Sequence, residues 1–198
     1  MKSDLKRKLS QVEDFENPRI SLEQYITPPA LASDLIFTAY MNQDLEGKVV
    51  DLGTGTGIFA IGAALTGANV KGVEVDEEAL DLARDNAEKL NIAERIEFIS
   101  KDVREFSGSF DTVLMNPPFS QHSEEGLKFW AKATEIAEKI YAVSPSTGRE
   151  GIKSFIASST HKVVELEEFK VDLPATYGFH TQESRETSVD LIIAEAEQ

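Results

Sequence analysis

Two short segments carry residue types whose spacing could do chemistry. One is Asp51-Leu52-Gly53-Thr54-Gly55-Thr56-Gly57; the other is Asn116-Pro117-Pro118-Phe119, directly after Phe110-Asp111-Thr112-Val113-Leu114-Met115. An amide beside two prolines offers acceptors and few donors, because proline has no N–H. Acceptors suit an amine whose lone pair is delocalised into a ring or carbonyl. The Asn116 side-chain oxygen and the Pro117 carbonyl can each take one N–H, favouring the pyramidal geometry in which the lone pair can attack. Pro118 stiffens the segment, and Phe119 can stack on a planar group extruded into a pocket. Alone, these four residues could also be a proline turn after a strand. Their place downstream of the glycine segment favours chemistry.

The glycine segment names a cofactor. Val49, Val50 and Leu52 form a short apolar run ending in glycines, and Ile58 to Leu65 reads as a helix, so the pattern is strand, tight turn, helix. A dinucleotide site would space its glycines G-x-G-x-x-G; here they fall at 53, 55 and 57, with the third one residue early. Bare backbone at Gly53, Thr54, Gly55 and Gly57 can approach a ligand closely, and Asp51 at the strand end attracts a cationic amino group rather than a pyrophosphate. That points to S-adenosylmethionine (SAM), whose zwitterionic tail lacks phosphate. A second strand, Val70 to Val75, places Glu74 where it can accept from ribose hydroxyls, while Asp76 reads as the N-cap of the next helix. A third strand, Arg95 to Ser100, ends at Asp102 and Val103. Asp102 could accept from an adenine amino group with Val103 adding a backbone amide, or be an ordinary loop carboxylate.

These groups need a sheet to hold them. Leu5, Leu9 and Val12 mark one face of a helix ending before Asn17-Pro18. Strands then alternate with helices: Phe110 to Met115, Tyr141 to Ser144, and a helix over Gly148 to Ser158. Val163 to Val171 and Ser188 to Ala194 are two final strands with no helix between, joined by a loop over Pro174 to His180. Alternation predicts an α/β fold, a doubly wound parallel sheet to which the last pair adds an antiparallel strand. The 198 residues predict a single domain, with residues 1–46 as a helical cap segment and 47–198 as the core.

Composition sets limits. There is no Cys, and His122, His161 and His180 are scattered, so no metal site is expected. No apolar stretch has the length of a membrane span and the N-terminus lacks a signal-peptide core, which predicts a soluble, cytoplasmic protein. A net charge of −15 argues against nonspecific coating of nucleic acid, although Lys2, Lys6, Arg7 and Lys8 and the basic residues after position 127 could form local sites.

The chain resembles the methyltransferase-like 5 family, class I enzymes that form N6-methyladenosine in small-subunit ribosomal RNA. The likeness rests on Leu22-Glu23-Gln24-Tyr25-Ile26-Thr27-Pro28, the glycine segment, Asp111 to Phe119, and Asp172-Leu173-Pro174-Ala175-Thr176-Tyr177-Gly178-Phe179-His180. The resemblance implies a Rossmann-like seven-stranded sheet in the order 3-2-1-4-5-7-6 with strand 7 antiparallel, SAM as cofactor, an RNA substrate, and Gln24, Tyr25 and Thr27 closing the SAM pocket. It also implies a partner, a small zinc-binding activator shared by several methyltransferases, docked on the edge strand Arg95 to Ser100. Family members carry lysines after the Asn-Pro-Pro-Phe segment and after the Phe-His pair. Here those stretches are Ser120 to Glu125 and Thr181 to Glu186, which puts phosphate contacts from both loops in question. Protein-glutamine N5 and DNA adenine-N6 methylation are alternatives, as is a non-catalytic SAM-binding subunit.

Overall fold

Val49–Leu52 (β1) is apolar and wholly buried, as expected for a central parallel strand covered on both faces. The other strands are β2 (Val70–Glu74), β3 (Ile96–Ser100), β4 (Phe110–Met115), β5 (Ala137–Pro145), β6 (His161–Pro174) and β7 (Ser184–Ala196). They form one sheet in the order β3-β2-β1-β4-β5-β7-β6. The pairings among β1 to β5 are parallel, and β7 runs antiparallel to both β5 and β6, which is the expected topology. The computed structural model describes residues 1–19, 22–24, 27–118, 125–174 and 184–197. Among these, no helix is long and apolar enough to cross a membrane.

The helices are α1 (Lys2–Leu9), α2 (Pro29–Met41), α3 (Ile58–Leu65), α4 (Glu77–Lys89), α5 (Glu125–Ile136) and α6 (Arg149–Ala157). Apolar residues of α1, α2 and α3 build one core cluster with Val49, Leu114 and Tyr141. Trp130, Ala133 and Ile136 of α5 and Ile152 and Ile156 of α6 build the other, with Val50, Leu52 and Met115. Neighbouring residues of β1 fall in opposite clusters, the period-two consequence of a sheet sandwiched between helices.

Several elements differ from the sequence reading, β6 and β7 among them by being longer at both ends. The first helix stops at Leu9, yet Val12 stays buried because the following turn folds it onto the same core. Helix α2, with Pro29 in its first turn, buries Leu31, Leu35 and Ile36; its apolar residues surround it too evenly to give a clear periodic signal. Strand β5 begins at Ala137, immediately after α5, several residues before the apolar run that announced it. The β6–β7 ribbon continues to the pair Pro174–Ser184, past the end of β5 opposite Val189. Of the loop expected over Pro174 to His180, Pro174 instead ends β6 and the rest lies outside the described residues.

Two polar clamps fasten this frame. The Tyr141 hydroxyl donates to Asp44 Oδ2 at 2.5 Å and accepts from Asn42 Nδ2 at 2.9 Å, tying the end of α2 to β5. On β7, the fully buried Asp190 accepts from Ser146 Oγ at 2.7 Å and from Arg149 Nε and Nη2 at 2.8 and 2.6 Å; Arg149 Nη2 also reaches Glu168 Oε2 at 2.5 Å. The second clamp joins the start of α6 to both long strands.

Candidate active site

The strand order reverses between β1 and β4, and at such a point the loops leaving the carboxyl ends of the strands diverge to open a crevice. A cleft of about 540 Å3 lies there, a size suited to a small molecule. Its walls include the glycine loop from Gly53 to Thr56, Glu74, Val75, Asp102 to Arg104, Asn116 and Pro118, with Leu22 to Gln24 and Thr27 from the cap.

The glycine loop needs its glycines. Gly53 has φ +71 and a Cβ there would come within 2.8 Å of the Phe129 ring; Gly57 has φ +83 and a Cβ would meet Ala83 at 3.1 Å. Gly57 caps α3 behind the cleft rather than lining it. The Gly53 and Thr54 amides both donate to the Val73 carbonyl, at 2.8 and 3.0 Å, locking the turn to β2.

Asp51 is buried beneath this turn and is not a wall residue. Its Oδ2 accepts from Thr54 Oγ1 at 2.6 Å and from the Ala60 amide at 3.0 Å, so the carboxyl ties the glycine loop to α3. Burial pushes its pKa up to about 7; the Thr54 and Ala60 hydrogen bonds oppose that rise, and the nearby Glu74 charge adds to it. Glu74, at the end of β2, accepts from the Gly55 amide at 3.1 Å through Oε2 and from the Val75 and Asp76 amides at 2.9 and 3.1 Å through Oε1. Burial raises its pKa too, against those three bonds.

Asp76 caps α4 as expected, accepting from the Glu78 amide at 3.2 Å. It has a second task that no local pattern signals. Arg19 Nη1 and Gln24 Nε2 reach its two oxygens at 3.0 and 2.6 Å, and Gln24 Oε1 accepts from the Arg19 amide at 2.8 Å. Gln24 therefore holds the cap down over the cleft. Asp102 caps a short 3-10 turn over Val103–Glu105 and pairs with the Arg104 guanidinium, which lowers its pKa. Its carboxylate is shared with Arg104, and Val103 lines the cleft beside it.

Asn116 leaves β4 at the opposite wall, with Nδ2 donating to Thr27 Oγ1 at 2.8 Å. Pro118 lines the cleft and Pro117 does not. Tyr25 and Phe119 lie outside the described residues. The sequence reading missed Phe15, Val75, Lys128 and Phe129, all in the cleft wall. Phe15 stands alone among acidic residues, which was a usable signal; the 53% exposure of Val75 at a strand end is visible only in the structure.

The wall chemistry fits SAM. Glu74 and Asp102 line the cleft together with apolar Phe15, Val75 and Phe129 and polar Thr27 and Asn116, and the φ-positive Gly53 and Gly55 put no side chain into it. Sheet order, glycine loop and the amide at the end of β4 define a class I methyltransferase, and the family model described as "Methyltransferase small domain" matches residues 31–143. The chain is 35% identical to the rRNA N(6)-adenosine-methyltransferase METTL5 of Danio rerio, covering 96% of each protein. Its identity to the Drosophila melanogaster Mettl5 of the same description is 34%, covering 94% of this chain and 92% of the relative. The crystal structure of the Pyrococcus horikoshii protein PH1948 superposes with a TM-score of 0.92 at 34% identity, covering 100% of this chain and 98% of that one. The chain belongs to the methyltransferase-like 5 family.

Proposed function

We propose that this protein transfers a methyl group from SAM to the N6 amine of adenine in RNA, with small-subunit ribosomal RNA as substrate. The observation that carries the reading is Asn116: its amide stands at the carboxyl end of β4, in the same cleft as Glu74 and the glycine loop. SAM supplies an electrophilic methyl on a sulfonium. The chain supplies the rest. Glu74 takes the ribose hydroxyls, Asp102 and Val103 face the adenine, and the ionised form of Asp51 contributes negative potential below the loop for the cationic amino group. Asn116 Oδ1 and the Pro117 carbonyl accept the two N–H bonds of the target amine, which frees its lone pair for attack. Phe119 stacks on the base, and Tyr25 completes the cap with Gln24 and Thr27.

The chain acts as one catalytic unit, residues 1–46 capping the core at 47–198, in the cytoplasm. The small zinc-binding activator docks along the Arg95 to Ser100 edge. Support for that comes from β3, which ends the sheet and, among the described residues, has backbone groups on one side that no other strand pairs.

The test is methyl transfer from labelled SAM to ribosomal RNA, release-factor peptide and duplex DNA in parallel, with the parent and Asn116→Ala. Transfer to RNA alone, lost by roughly 10²-fold or more in the variant, is expected. Transfer to peptide or DNA would replace the RNA reading, and SAM binding without any transfer would make the chain a non-catalytic subunit.

A further inference from the structure

Phe15 is set among exposed Glu13, Asp14 and Glu16, and its ring joins neither core cluster of the described residues. It goes instead to the cleft wall, half-buried, with Cζ 3.5 Å from the place a Cβ would take on Gly55. An aromatic ring held outside the core is a large apolar surface available to a ligand.

The backbone that carries this ring is fixed at both ends. Val12, just ahead, is buried in the core. Asn86 of α4, only 1% exposed, accepts from the Glu13 amide at 2.9 Å through Oδ1, while its Nδ2 donates to the Glu13 carbonyl at 3.1 Å and to the Thr56 carbonyl at 3.0 Å. One buried side chain thus spends its acceptor and its donors on tying residue 13 to the glycine loop. Beyond the ring, Arg19 pairs with Asp76 at 3.0 Å and with Glu78 at 2.9 Å, at the start of α4. Phe15 is therefore presented, on a stretch held at Val12 and Glu13 and again at Arg19, to the corner where the Gly55 amide donates to Glu74 Oε2 at 3.1 Å.

We infer that Phe15 is a cofactor-binding residue: its ring packs on the ribose of SAM and closes the Glu74 side of the cleft against water. The inference rests on the reading of Glu74 as acceptor for the ribose hydroxyls. Hydrogen bonds made beside an apolar ring are strengthened by the loss of competing water, so ring and carboxylate act on the same sugar.

The experiment is calorimetry on the full chain with two ligands. S-adenosylhomocysteine is what SAM becomes on losing its methyl group, and methylthioadenosine keeps the adenosine but lacks the amino-acid tail. Phe15→Ala should weaken both by about tenfold, the two losses agreeing within about threefold, because the missing contact lies on the part they share. Glu74→Ala should weaken both as well. Affinities within about twofold of the parent in Phe15→Ala, beside a weakened Glu74→Ala, would overturn the role given to Phe15. A loss for S-adenosylhomocysteine alone would put the ring on the amino-acid tail and overturn the ribose contact. Unchanged affinity in Glu74→Ala would instead sink the ribose reading itself. Unliganded Phe15→Ala should melt within about 4 °C of the parent, since the ring joins neither core cluster; a larger drop would make Phe15 a packing residue and overturn the proposal.

Discussion

Asp51 sits where two demands meet. It was expected from the sequence to draw a cationic group, and its position makes it the buried knot between the glycine loop and α3. Burial raises its folded pKa to about 7 from an ordinary 3.8, so the fold favours the neutral form. The sign follows from linkage: stability associated with this group is fully present below about pH 4 and is lost as pH rises through about 7. Asp51→Asn keeps an acceptor oxygen and removes the ionisation. Its unfolding free energy relative to the parent should therefore improve between about pH 4.5 and 7.5, by on the order of 2–4 kcal/mol. Urea unfolding at the two pH values checks this, and a difference independent of pH would mean that Asp51 does not titrate in this range.

At the scale of elements, the Asp190 clamp fixes how α6 and the β6–β7 ribbon meet. Arg149 spans the buried Asp190 and the more exposed Glu168. Arg149→Met leaves a buried carboxylate without its cation, a change that should lower Tm by roughly 5–10 °C in a chain of this size. Adding Asp190→Leu should recover part of the loss, since replacing both members of a buried pair is far milder than removing one. A melt showing the double variant below Arg149→Met would contradict this account. The same ribbon extends past β5 on the side where Asn116 emerges, so this clamp also sets one flank of the approach to the cleft.

The whole molecule is acidic, with net charge −15, while its proposed substrate is a polyanion. Basic residues at the cleft do not offset this, because Lys128 pairs with Glu125 and Arg104 with Asp102. An activator bringing its own basic surface along β3 would supply the missing attraction. Phe98 is a poor place to test that contact by mutation, since its ring rests against Gly72, where a Cβ would come within 2.9 Å, and against the core. Hydrogen exchange is cleaner. Adding the activator should slow exchange at about half the amides of residues 96–100, those directed away from β2, while the glycine loop is unchanged. Unaltered exchange along β3 would place the partner elsewhere or remove it.

Local structure was legible where it depends on neighbours in sequence. The strand–turn–helix at 49–65, the boundaries of β4 and the N-cap at Asp76 match the structure because each depends on neighbours in sequence: an apolar run, a φ-positive glycine, a carboxylate ahead of a helix. The family resemblance added the strand order. What the sequence could not disclose was the set of contacts made across long separations: Gln24 and Arg19 gathered on Asp76, and Thr27 bonded to Asn116. No periodicity or spacing encodes those pairings. They exist only once the parallel sheet brings the ends of β1, β2 and β4 together and packs the cap over them, because a side chain's partner is chosen by the space it is folded into.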